Sequence, residues 1–418
     1  MKLSQKAKRF KLLAPAGDWE CLRAAVNAGA DYVYLGISNF NMRSTGAKNF
    51  DLKDLPKIAE YCKENKVKVY LTVNTVLYNS DLDRMKKIID NAKKAKIDGV
   101  IVCDLAAVQY AREIGISASI STQLSVSNIE SVKFFSDYAD RIILARELSL
   151  EQIKEICTQI VEKKIKGPAG ELIEIETFGH GALCVAVSGR CNMSLYCYNS
   201  SANRGECTQV CRRAYKVQDL ETGHELKIDN NYIMSPKDLS TIGFLDKIID
   251  SGVKVLKIEG RGRPPEYVDT VVRVYKRAIE AIIENKYNKK LIKELNEELE
   301  SVFNRGLDNG LYMGRSYDEW AKGPGNQAKT KRNFVGKVLH YFPKKEVALI
   351  ENTSNLTLKE GQECIITGST TGLVRIKLKD MLVENKNAKS LKQGEQFTIK
   401  MPQKVRKNDN VFAIIKKI

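Results

Sequence analysis

Ten cysteines occur in the 418-residue chain, and five of them crowd into one stretch: Cys184, Cys191, Cys197, Cys207 and Cys211. Thiolates are the soft ligands that iron–sulfur clusters and zinc select. The stretch reads Cys184-Val-Ala-Val-Ser-Gly-Arg-Cys191 and then Cys207-Thr-Gln-Val-Cys211. Zinc ribbons and knuckles use paired, closely spaced cysteines, and only the second pair fits, which favours iron over a zinc staple. The row of three close cysteines that S-adenosylmethionine radical enzymes need is absent. Cys197 reads as a spare thiol or a non-ligand. Cys21, Cys62, Cys103, Cys157 and Cys364 lie in apolar helix or strand patterns and read as small core residues.

Other residues of chemical interest follow short apolar runs: Asp18, Asn39, Asn41, Arg43, Asn74, Asp104, Gln123, Arg146, Glu147, His180, Glu259 and Arg261. His180 can serve as a general acid–base or as a partner to a metal ligand; a satisfied structural histidine is the plain alternative. Glu259 is either a proton acceptor or the ion-pair partner of Arg261, and Asp104 is a further catalytic candidate. Arg43, Arg146 and Arg261 can grip a small dicarboxylate, because arginine binds carboxylates bidentately. Asn74 and Gln123 add polar substrate contacts.

The elements that position these groups repeat. Strand-like runs lie near Leu12-Leu13, Tyr32–Leu35, Val67–Thr72, Gly99–Cys103, Ala118–Ser121, Arg141–Leu144, Ile173–Thr177 and Lys254–Ile258. Helix-like segments between them predict a parallel sheet, and eight such units predict an α/β fold, a closed (β/α)8 TIM-like barrel. Asp18 caps a helix over Trp19–Ala28, and Ser235-Pro236 opens another over Lys237–Asp250. About 80 residues separate the seventh run from the eighth. One helix cannot use that length, so an inserted cysteine module is expected at about 180–235. Barrels take their catalytic groups from the carboxyl ends of the strands, where the polar residues above fall.

The barrel with its insert is expected over 1–321. A basic linker over 322–333 leads to a small all-β barrel over 334–418, with strands at Val335–Val338, Val347–Glu351, Glu363–Ile366, Gly372–Leu378, Gln396–Lys400 and Val411–Ile415. Lysine and arginine exceed the acids by 17. Residues 2–11 hold five cations and residues 322–345 hold seven, with no acid in either. Such clustering favours a polyanion, and the β-module is expected to bind RNA. A lysine-rich proteome is the plain alternative. No apolar run approaches a membrane span, so a cytoplasmic protein with no membrane partner is expected.

Phe178-Gly-His-Gly-Ala-Leu-Cys184 with Ser188-Gly-Arg-Cys191 resembles the collagenase-like peptidase family U-32. Leu13–Asp18, Val73–Thr75, Ser121–Leu124, Lys257–Arg261, Arg305-Gly306 and Gly310–Tyr312 resemble further signatures of that family, so the likeness spans nearly the whole chain. The resemblance implies a four-iron, four-sulfur (4Fe-4S) cluster on Cys184, Cys191, Cys207 and Cys211. It also implies hydroxylation of an RNA base with prephenate required. The chain is most similar to the branch that hydroxylates tRNA uridine, which makes tRNA and a small dicarboxylate the expected partners, beside a partner protein or a second copy. Other branches hydroxylate ribosomal RNA or quinone precursors, and the family name reflects collagenase activity. The chain departs from the pattern at Gly179 and at Asp308-Asn309.

Peptidase chemistry is the competing class. A cysteine peptidase needs a thiolate activated by histidine, and sequence neighbours such as His180 and Cys184 seldom form that pair. His-Glu-x-x-His and Gly-x-Ser-x-Gly are absent. A non-catalytic RNA-binding protein would explain the charge but leave the strand-end polar groups idle.

Overall fold

Parallel strands buried on both faces favour continuous apolar runs; most of the first seven strands follow this, while the seventh alternates apolar and polar residues. In the computed structural model these seven are β1 (Lys11–Ala16), β2 (Tyr32–Gly36), β3 (Lys68–Val73), β4 (Gly99–Val102), β5 (Ala118–Ile120), β6 (Arg141–Ile143) and β7 (Glu174–Ala182). The structure describes residues 2–38, 40–216, 218, 220–223, 232–314 and 320–417; Asn39 falls outside them. Each strand pairs parallel with the next. After β8 (Asp238–Ser240), β9 (Val255–Ile258) pairs with both β7 and β1 and closes the barrel. The eight expected strands are β1 to β7 and β9.

The strand β7 outruns its neighbours. Its first residues pair with β6 and β9, while His180–Ala182 pair antiparallel with β8, and β10 (Leu307–Asp308) extends β8. This ribbon rises from the carboxyl end of the barrel and carries the chain into the cysteine insert. Gly181 lets it pass: with φ at +107°, a β-carbon there would come within 2.4 Å of the Glu259 carbonyl oxygen.

One expected helix is mostly something else. Asp238–Ser240 form β8, and only Leu245–Asp250 are helical. Strand pairing with β7 and the buried Thr241, which hydrogen-bonds the Gly179 carbonyl oxygen at 3.0 Å, outweigh local helix preference. The helix after β1 does run from Trp19 to Asn27, with the Asp18 carboxylate accepting from Cys21 N at 2.8 Å.

Past the barrel the chain becomes all-β. A long strand, β11 (Thr330–Phe342), pairs antiparallel with β12 (Val347–Glu351) and with the final strand Asn410–Lys416. Among the described residues the eight-stranded sheet runs from Gly372–Lys377 at one edge to Lys386–Ala388 at the other, without a closing pair. The first four residues of β11 were expected in the basic linker. They are instead paired with the last strand, as Thr330 with Lys416. The sheet packs on the barrel flank: Arg375 bonds Asp269 at 2.9 Å and Thr270 at 2.6 Å, and Ala24 packs with Ile365 and Leu373.

Candidate active site at the carboxyl end of the barrel

A cavity of about 260 Å³ opens where the barrel strands end. Cys184, Cys191, Cys207 and Cys211 all line it; Cys197 does not. Burial and the neighbouring Cys184, Cys207 and Cys191 push the Cys211 thiol up, against the pull of Arg212. The four sulfurs therefore share one electrostatic neighbourhood. Among the described residues no three His, Cys, Asp or Glu side chains are set to hold a single metal ion. Hydrogen bonds within the insert order it: Cys191 N donates to Asn203 Oδ1 at 3.2 Å, and Thr208 N to Ser194 Oγ at 3.1 Å.

The rest of the lining is strongly cationic. Arg43, Arg146, Arg212, Lys257, Arg261, Arg263 and Arg305 line the cavity, and Glu259 is the acid among the lining residues. Burial alone would raise the Glu259 carboxyl, but Arg43, Arg263 and Arg146 outweigh it and hold it at about 2. Its ion-pair partner is Arg43, at 2.9 Å. Arg261, the partner expected from sequence, bonds Asn41 Oδ1 at 2.8 Å and Thr72 Oγ1 at 3.2 Å instead. Burial brings its guanidinium down to about 10. Gly36 makes the room, since a β-carbon there would lie 2.2 Å from Arg261 Nη1.

Most of these cations already have acceptors. Arg305 bonds Asp238 at 3.2 Å, Lys257 bonds Glu176 at 3.0 Å, and Arg212 donates to the Leu183 and Pro236 carbonyls. Arg146 differs. Its guanidinium lies 3.9 Å above the Phe178 ring and donates to the Ala182 carbonyl at 3.2 Å, while its buried Nε has no partner. The buried Gln123 Oε1 is unpartnered as well. Asn74 accepts from Met42 N at 3.4 Å and donates to Ser121 Oγ at 3.3 Å.

Two residues expected to be catalytic lie elsewhere. Asp104 caps the helix Leu105–Ile114 and also accepts from Leu77 N at 3.0 Å, so backbone N–H groups hold both carboxylate oxygens. His180 is 1% exposed, packed near the Tyr267 and Tyr275 rings at 5.9 and 5.7 Å. Burial and Arg263 take its imidazole down to about 3. It is a neutral core residue behind the wall. Asp18 is a helix cap paired with Lys48 at 2.9 Å, and Glu147 points to solvent. The sequence reading did not single out Lys257, Arg212, Arg263 or Arg305. Arg212 directly follows a cysteine, and the other three stand in or beside motifs already noted, a signal that their charge could have supplied.

The profile of Peptidase family U32 matches residues 17–322. The chain belongs to peptidase family U32. Among its relatives, a protein named collagenase from Porphyromonas gingivalis is 47% identical over 98% of both chains. The tRNA hydroxylation protein P1 of Bacillus subtilis is 35% identical over 84% of this chain and 81% of its own. A 23S rRNA 5-hydroxycytidine synthase from Escherichia coli is 34% identical over 68% of this chain and 41% of its own. The U32 match covers every cavity residue named above, from Arg43 to Arg305.

Proposed function

We propose that this U32 protein hydroxylates a uridine in tRNA, with a 4Fe-4S cluster on Cys184, Cys191, Cys207 and Cys211 and prephenate or a similar small dicarboxylate in the cationic cavity. One observation carries the reading: four thiols and seven cations face one cavity at the end of the barrel. Relatives named for tRNA and rRNA hydroxylation supply the reaction class.

The donor set suits the cluster. Four cysteines match its ligand requirement, and nearby guanidinium groups offset the negative charge of thiolates. When bound, the cluster supplies a redox centre beside the anion. The residues themselves bind and orient. Arg146 offers an unpartnered Nε and a face already stacked on Phe178, which fits one carboxylate. Arg43 is held in place by its ion pair with Glu259. Gln123 and Asn74 supply neutral polar contacts.

Peptidase activity is the second reading, favoured by the 47% identical relative named collagenase. Thiol catalysis would need a histidine base at the cavity. Of the two histidines among the described residues, His180 is buried behind the wall and His340 stacks on Phe342 at 4.5 Å in the C-terminal sheet. Anaerobically purified protein given prephenate, with water as the oxygen source and a two-electron acceptor to take the electrons released, should convert a uridine of unmodified tRNA to a hydroxyuridine. Cleavage of collagen peptides by cluster-free protein, with tRNA left unchanged, would replace this reading with the second.

A further inference from the structure

A small anion in the cavity makes no use of the exposed aromatic rings on segments that also contribute to its lining. The helix Met193–Tyr198 contributes Met193 and Ser194 to the cavity lining, yet leaves Tyr196 86% exposed and Tyr198 49% exposed. Tyr78 is 58% exposed, four residues beyond the lining residue Asn74. Its loop is tied to the insert, with Val76 N donating to the Asn203 carbonyl at 3.1 Å. Single exposed apolar side chains are ordinary. Three exposed tyrosines on two joined segments that both reach the cavity lining are a pattern.

Guanidinium groups back two of these rings. Arg204 lies 4.0 Å from the Tyr78 ring, anchored to Asp81 at 2.8 Å and to the Val76 carbonyl at 3.1 Å. Arg213 lies 5.0 Å from the Tyr198 ring and donates to its hydroxyl. Between Cys184 and Lys216 the insert holds five cations and one acid, Glu206. Exposed rings among cations suit a ligand with flat faces and an anionic backbone, which describes unpaired nucleotides. A duplex hides its base faces inside its own stack, and an acidic protein partner would leave the rings without flat counterparts.

We propose that Tyr78, Tyr196 and Tyr198 form a stacking platform that holds unpaired nucleotides at the cavity mouth. Residues two apart on a helix point to different sides, so Tyr196 and Tyr198 take separate bases. The platform rests on the RNA reading above and adds the part of the RNA that is recognised: a loop or single strand.

The test is fluorescence anisotropy with the full chain, using a labelled single-stranded oligouridine and a blunt RNA duplex of equal length. Wild-type protein should prefer the single strand. A Tyr78→Ala, Tyr196→Ala double variant should lose about tenfold or more in single-strand affinity. Its salt slope should stay unchanged, because no phosphate contact is removed. Tyr196→Trp should keep the affinity, with indole emission quenched on binding. Unchanged single-strand affinity in the double variant, equal wild-type affinity for the duplex, or a wild-type oligomer dispersed by the double substitution would each overturn the platform while the RNA reading stands. Wild-type protein that binds neither RNA would overturn both.

Discussion

Most of the seven cations lining the cavity are paired within the chain, but Arg146 keeps a buried Nε with no hydrogen-bond partner. Removing a charged hydrogen-bond partner costs on the order of 2 kcal/mol. Arg146→Ala should therefore weaken prephenate binding about tenfold or more by calorimetry, and Arg146→Lys should not restore it, because the planar fork is lost. Arg261 bonds Asn41 and Thr72 within the chain, so its removal should lower thermal stability as well as binding. Acid should act through two buried groups. His180 is held near 3 from an ordinary 6.5, so the unfolded chain binds the extra proton and folding stability falls as pH drops below 6.5 towards 3, by up to about 1.4 kcal/mol per unit. His180→Gln should flatten that part of the stability–pH curve in chemical denaturation. Glu259, held at about 2 from 4.5, stabilises the fold above 4.5, and this is lost only as pH falls towards 2. It stays anionic near neutrality and is a weak base there, so no limb of the activity profile near pH 7 should belong to it.

At the scale of elements, the cysteine insert stands on the overhang of β7 with β8 and β10 beneath it. Cysteine-to-serine changes at 184, 191, 207 and 211 should each lower bound iron in anaerobically purified protein, whereas Cys197→Ser should leave it unchanged. Full iron retention in Cys207→Ser would contradict the ligand set. Most barrel strands were legible because buried parallel strands favour unbroken apolar runs. The short β8 was not, since its pairing with β7 is a tertiary contact that no local pattern announces. Asp104 and His180 show the limit of reading strand ends: a polar residue there can equally cap the next helix or turn away from the cavity. Arg212 and Arg305 were missed because the folding of the insert and the ribbon, rather than spacing, brings them to the thiols. That Cys184, Cys191, Cys207 and Cys211 would come together was legible because all four lie in one insert at the end of a barrel strand.

For the whole molecule, the excess of 17 cations is distributed unevenly in its effect. Lys329 and Arg332, in the stretch read as a basic linker, are paired with Glu300 and Glu266 of the barrel. The stretch is laid on the barrel, since Gln327 N donates to the Asn304 carbonyl at 2.8 Å and Lys329 N to that of Glu300 at 2.9 Å. Of the seven cations in residues 322–345, Lys322, Lys331, Lys337, Lys344 and Lys345 then remain better placed to meet phosphates. If about four phosphates are met, log affinity for tRNA should fall with log salt with a slope of about 3. Charge reversal at those five lysines should reduce both affinity and slope, and an unchanged slope would place the RNA contacts elsewhere. Among the described residues no helix is long and apolar enough to cross a membrane. The most direct measurement for the whole account is nucleoside analysis of tRNA from a strain lacking this gene. The account predicts loss of one hydroxylated uridine, restored by the wild-type gene but not by a Cys191→Ala or an Arg146→Ala copy. A nucleoside profile identical to that of the parent strain would contradict it.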